Sequence, residues 1–163
     1  MLNSTTRALR TLALTGAAVA AVVAQPALAA DTAELTVSAE VSEVCNVTTS
    51  PVAFGVIDVT TAGNVDATGG FSVICTSGTA WTAAASAGLG TGASTAARKM
   101  ADGANLLNYS LFTDSDRSVN FVSATGTGSG ATQLRTIYGR VPSGQTGVPV
   151  GSYADSVTIS LTY

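Results

Sequence analysis

Gly151-Ser152-Tyr153-Ala154-Asp155-Ser156-Val157-Thr158-Ile159-Ser160-Leu161-Thr162-Tyr163 is the stretch on which the fold class turns. From Tyr153 the odd positions read Tyr153, Asp155, Val157, Ile159, Leu161 and Tyr163, and the even ones Ala154, Ser156, Thr158, Ser160 and Thr162. Successive side chains of a strand point to opposite faces, so this period of two gives one largely apolar and one hydroxylated face. The stretch reads as a strand running to Tyr163.

The same alternation recurs upstream. Phe71, Val73 and Cys75 share a face after Gly69-Gly70; Trp81, Ala83 and Ala85 share the next. Leu107, Tyr109 and Leu111 alternate with Asn108 and Ser110, and Gln133 to Val141 carries Ile137 and Tyr138 before the turn at Pro142-Ser143-Gly144. Glycine-rich stretches at Gly88–Gly92, Gly126–Gly130 and Gly144–Gly151 read as loops, and Ala93 to Ala101 as a helical turn. Short alternating runs between glycine-rich turns predict an all-β sandwich.

One further run lies near the N-terminus. Leu35, Val37, Ala39 and Val41 alternate with Glu34, Thr36, Ser38 and Glu40. Periodicity alone reads this as a first strand packed within its own domain; its amphipathic character equally suits a strand that lies in a groove. Ahead of it, Arg7 and Arg10, the apolar run Leu12 to Ala24, and Gln25-Pro26-Ala27-Leu28-Ala29 make a secretory signal peptide cut after Ala29 or Ala30. The run is too short and too broken by Pro26 for a membrane anchor. The chain is expected to divide into a signal at 1–29, an N-terminal strand segment at 30–43 and one β domain at 44–163.

Composition narrows the function. Without the signal, five basic residues face ten acidic ones, a net charge of −5. Arg98, Lys99, Arg117, Arg135 and Arg140 are scattered, with none of the basic stripe that nucleic acid or an anionic membrane requires. Histidine, the usual proton carrier near neutrality, does not occur. Cys45 and Cys75, the two cysteines, read in an exported domain as one disulfide, since a metal site needs more ligands and a redox pair closer spacing. Asp58, Asp66, Asp102 and Asp155 could form a carboxylate pair for a small secreted hydrolase, but isolated carboxylates in turns are mostly solvated. Gly126 to Gly130 lacks the Gly-Lys-Ser/Thr of a phosphate loop, and Asp114-Ser115-Asp116 lacks the glycine and distal glutamate of a calcium loop. Asn46-Val47-Thr48 and Asn108-Tyr109-Ser110 match the glycosylation pattern, a match of three residues only. No catalytic residue, cofactor or metal is expected.

The ordered set of motifs resembles the spore coat protein U domain family, which includes subunits of archaic chaperone–usher pili. The resemblance rests on Cys45 with Phe54-Gly55, on Gly70 to Thr76 around the second cysteine, on Leu107 to Asp114, on Tyr138 to Gln145, and on Gly151 to Tyr163. It implies an immunoglobulin-like sandwich that lacks its last strand. A periplasmic chaperone lends a strand, and the N-terminal segment of a neighbouring subunit, delivered at an outer-membrane usher, replaces it. Leu35, Val37, Ala39 and Val41 would then be donor side chains, and Val157, Ile159, Leu161 and Tyr163 would line the acceptor groove. Ala39 is small for a pocket-filling position, which leaves the register open. The implied product is a surface fibre serving attachment and biofilm formation. The alternatives are a self-contained coat protein and a receptor-binding module.

Overall fold

The computed structural model describes residues 28–163, and most of the expected signal peptide lies outside them. The chain divides after Ser38. Of the first unit, residues 28–38 carry no strand and are exposed, with Leu35 and Val37 at 85% and 84%. The second unit, Ala39–Tyr163, begins with six residues outside any strand, Val41 among them and exposed.

Its eight strands are β1 (Cys45–Ser50), β2 (Val65–Cys75), β3 (Ala80–Ala85), β4 (Arg98–Asp102), β5 (Asn105–Phe112), β6 (Ser123–Thr127), β7 (Gln133–Val141) and β8 (Ile159–Thr162). Two antiparallel sheets result, one ordered β1-β2-β7-β5-β4 and one β6-β3-β8. Phe71, Val73, Leu107, Tyr109, Leu111, Ile137 and Val141 from the larger sheet are buried together with Trp81 and Ala83 from the smaller. Phe71 stacks on Phe121, ring centroids 5.7 Å apart. The period-two patterns are therefore those of a sandwich whose inner faces interdigitate.

Cys45 lies directly opposite Cys75 across the β1–β2 ladder, and the two are bonded. The largest fully buried side chain is a cation. Arg98 donates to Ser86 O at 3.1 and 2.9 Å, to Thr95 O at 2.7 Å and to Phe121 O at 2.9 Å. A buried charge is tolerable only with its donors satisfied, and here three carbonyls satisfy them. Desolvation still lowers the pKa of its guanidinium, opposed by Tyr109 and Asp155 nearby.

Three expectations need correction. Ala93 to Ala101 forms no helical turn: Ser94 and Ala97 close a tight turn on each other, and Arg98 onward is β4. That strand pairs with β5 through a hairpin whose Gly103 sits at φ 59°. The pull of Arg98 into the core overrides the helix propensity of the alanines. Gly126 belongs to β6 rather than to a loop: a Cβ there would lie 2.7 Å from Trp81 Cε2, so the glycine makes room for the flat indole. The terminal strand is also shorter than its alternation. Ile159–Thr162 pairs with β3, while Ala154 bridges Ala101 and residues 155–158 stand outside any strand.

Candidate functional site

An open cleft of about 990 Å³ lies along one side of the sandwich. One bank is residues 49–59, the chain that follows β1; the other is 148–157 with Ile159, the chain that enters β8. The floor is Leu107, Tyr109, Leu111, Phe121 and Ile137 from the core. Among the described residues β1 and β8 are edge strands, each paired on one side only. The cleft thus opens between two sheet edges, and its floor is apolar.

Each bank is fixed by local chemistry. The first bank leaves β1 at Pro51, which cannot donate to a ladder, and drops Val52 and Phe54 onto β7 at Gly139. A Cβ at Gly139 would sit 2.7 Å from both Phe54 Cζ and Val52 Cγ1, so any larger residue would lift the bank. Phe54 meets Tyr109 edge to face at 6.2 Å.

The second bank is anchored by Asp155. Its carboxylate accepts from Tyr109 Oη at 2.6 Å, from Leu89 N at 2.7 Å and from Ser156 N at 2.7 Å. Burial pushes the Tyr109 phenol well above its ordinary value, and the bond to Asp155 adds to this against the lowering effect of Arg98. The phenol is therefore a neutral donor. Tyr153 Oη donates to Pro149 O at 2.8 Å, which bends the bank onto itself.

Of the four residues expected to line a groove, Val157 and Ile159 line the cleft. Leu161 sits opposite Ala83 in the β3–β8 ladder and packs on the core, and Tyr163 is 54% exposed just beyond β8; neither lines it. Leu35, Val37, Ala39 and Val41 are all exposed. Sequence reasoning missed the first bank. Val52 and Phe54 alternate directly after Pro51, a signal too short to stand out beside the longer strands. It also missed Tyr109 and Phe121 as cleft floor, because core and floor are here the same face.

The four carboxylates considered for hydrolysis lie apart in role. Asp58 caps its own turn through Thr60, Asp66 pairs with Arg140, Asp155 anchors the bank, and Asp102 closes the β4–β5 hairpin. Among the described residues no three metal-type side chains group together. What the cleft offers is apolar surface between two free backbone edges, the requirement for taking up an extended segment as an added strand.

Two antiparallel sheets, a buried aromatic core and this arrangement of edges define an immunoglobulin-like β-sandwich. The family model of the Spore Coat Protein U domain matches residues 31–160, and the chain belongs to that family. It is accordingly a structural protein and not an enzyme. In fold it is similar to the crystal structure of the CsuC–CsuE chaperone–tip adhesion subunit pre-assembly complex from archaic chaperone–usher Csu pili of Acinetobacter baumannii. The TM-score is 0.56 at 19% identity, covering 76% of this chain and 40% of that chain. The chain thus spans well under half the length of the solved chain it matches. No match is found among curated proteins.

Proposed function

We propose that the protein is a subunit of a surface pilus or fibre built by donor-strand exchange. The observation that carries this reading is the apolar cleft between the unpaired edges of β1 and β8, in a chain that also bears an exposed, alternating segment at Ala33–Val41. The segment supplies what the cleft lacks: Leu35, Val37, Ala39 and Val41 on one face, and a backbone able to bond to two edges at once. Val157 and Ile159 are the acceptor residues on the second bank.

Family membership supports the reading, as does the fold shared with a pilus subunit solved beside its chaperone. The partners that follow are a periplasmic chaperone, which covers the cleft until assembly, an outer-membrane usher, and neighbouring copies or related subunits. A free edge with apolar flanks aggregates if left uncovered, which is the physical need for a chaperone. The route is export by a signal at 1–29 to the periplasm and then the cell surface, with 30–43 as donor and 44–163 as acceptor domain. Attachment and biofilm formation are the roles such a fibre serves.

The test compares the exported chain with one lacking Asp31–Val41 by size-exclusion chromatography with light scattering. Ladders or fibres from the full chain alone support strand exchange. Equal monomers with equal melting temperatures would leave a self-contained coat or binding domain as the better account.

A further inference from the structure

Thr76 stands just past β2, opposite Val44, where the β1–β2 ladder ends at Cys45 and Cys75. Its N–H still donates to Val44 O at 2.9 Å, so the two chains stay in register one residue beyond the disulfide. There the side chain takes over. Thr76 Oγ1 accepts from Val44 N at 3.2 Å and donates to Ser42 O at 3.1 Å. A hydroxyl has one hydrogen to give and lone pairs to accept with, so a single atom fills both roles. In an extended chain the C=O of one residue and the N–H of the residue two further on face the same side. Thr76 therefore keeps Ser42, Glu43 and Val44 in line with β1 and turned towards β2.

The other side of β1 is its unpaired edge, and that edge leads to the cleft at Thr49 and Ser50. A reversal of the chain at 42–44 would lay the preceding residues along this edge. Asp31–Val41, extended at ~3.3 Å per residue, spans about 36 Å. That length covers the six residues of β1 and reaches on into the chain's own cleft. A subunit that fills its own cleft neither accepts a strand nor offers one. Such a reversal would break both bonds of the Thr76 hydroxyl.

We propose that the Thr76 hydroxyl is a positioning group that blocks this reversal, so that the segment ahead of Ser42 is given to a second copy of the chain and not to its own β1 edge. The inference rests on the strand-donation reading above. It goes further in assigning the choice between self and neighbour to one side chain that lies outside both donor and cleft.

The experiment uses the full exported chain as wild type, Thr76→Val, Thr76→Ala and Thr76→Ser, with light scattering for the ratio of monomer to polymer and thermal melting of the isolated monomers. Loss of the hydroxyl in the Val and Ala variants raises the monomer share at least about fivefold, the equilibrium weight of one of its two net hydrogen bonds. Their monomers then melt above monomers lacking Asp31–Val41, because the cleft is filled from within. Thr76→Ser restores the wild-type ratio. An unchanged ratio in both the Val and Ala variants, or a Ser variant that behaves like them, overturns the inference while leaving strand donation intact. Absence of polymer from the wild type itself overturns both.

Discussion

The two long sides of the sandwich are built from the same alternating residues but differ in whether a strand covers them. On the β1–β2 side every position from Cys45 to Ser50 has a partner in β2, a disulfide ties the ends together, and Phe71 and Val73 are fully buried beneath. On the cleft side, residues 49–59 and 148–157 frame an open cleft, and its apolar floor has no covering strand among the described residues. Alternation specifies which face of a strand is apolar, but it does not say whether another strand will cover that face. The difference is made by a few groups that do not alternate: Pro51, Gly139 and Asp155.

The strongest way to break this contrast is to truncate one apolar residue on each side. Phe71→Ala is expected to lower unfolding free energy by about 3–5 kcal/mol, since it opens a cavity beside Phe121. Val157→Ala, on the half-exposed bank, is expected to cost under about 1 kcal/mol in the domain lacking Asp31–Val41. Urea titrations of the two variants measure both, and equal losses would mean that the cleft side is as well packed as the other.

Next in size is the cross-link. Replacing Cys45 and Cys75 together by alanine is expected to cost about 3–4 kcal/mol through the loop it closes, read as a lower urea midpoint. Because the bond lies wholly on the closed side, binding at the cleft should survive whenever the domain stays folded. A peptide of residues 31–43, at a hundred times its dissociation constant, should stabilise the domain lacking Asp31–Val41 by about 2.7 kcal/mol. Melting curves with and without peptide check this, and a scrambled peptide should give no shift.

The smallest expected effects are at the extremes of pH, and they separate the two sides. Asp66 on β2 accepts a two-armed bond from Arg140, at 2.8 Å to each oxygen. That bond, and the charges of Arg140 and Arg117, hold its carboxyl below its ordinary 3.8. A depressed pKa contributes stability above the unfolded value, so this contribution is lost as pH falls below 3.8. The group is partly exposed, so the loss is slight, and Asp66→Asn should flatten the acid limb of the melting curve. Tyr109, on the cleft floor, has a raised pKa. Its contribution is present below the unfolded value of 10.0 and disappears as pH rises above it. Tyr109→Phe should flatten the alkaline limb alone.

Much of this was legible in the sequence, and the reasons differ from residue to residue. The alternation around Phe71, Trp81, Tyr109 and Ile137 gave core strands because each is long enough to repeat its period. The disulfide followed from two cysteines in an exported domain. β4 was not legible, because Arg98 breaks the apolar pattern and its burial depends on the carbonyls of Ser86 and Phe121, distant in sequence, as well as on that of Thr95. β6 was hidden by Gly126, whose glycine answers to Trp81 and not to a turn. The terminal stretch alternates over eleven residues, yet its first half bends to meet Ala101 and Tyr109, a tertiary demand that no local pattern records. Val157 stands just ahead of β8 and Ile159 is its first residue, so both border the cleft, while Leu161 lies further along the same ladder, opposite Ala83.

The position of the Cys45–Cys75 bond has a mechanical consequence. A pull on the chain ahead of Val44 first meets the hydrogen bonds of Thr76 to Ser42 and Val44, and then a covalent link at the first residue of β1. Tension passes through that link into Cys75 and along β2, the eleven-residue strand held by both β1 and β7. The β1 ladder cannot be peeled from that end, so force applied to the N-terminal segment is resisted in shear along the longest strand and not by unzipping the shortest path into the sheet.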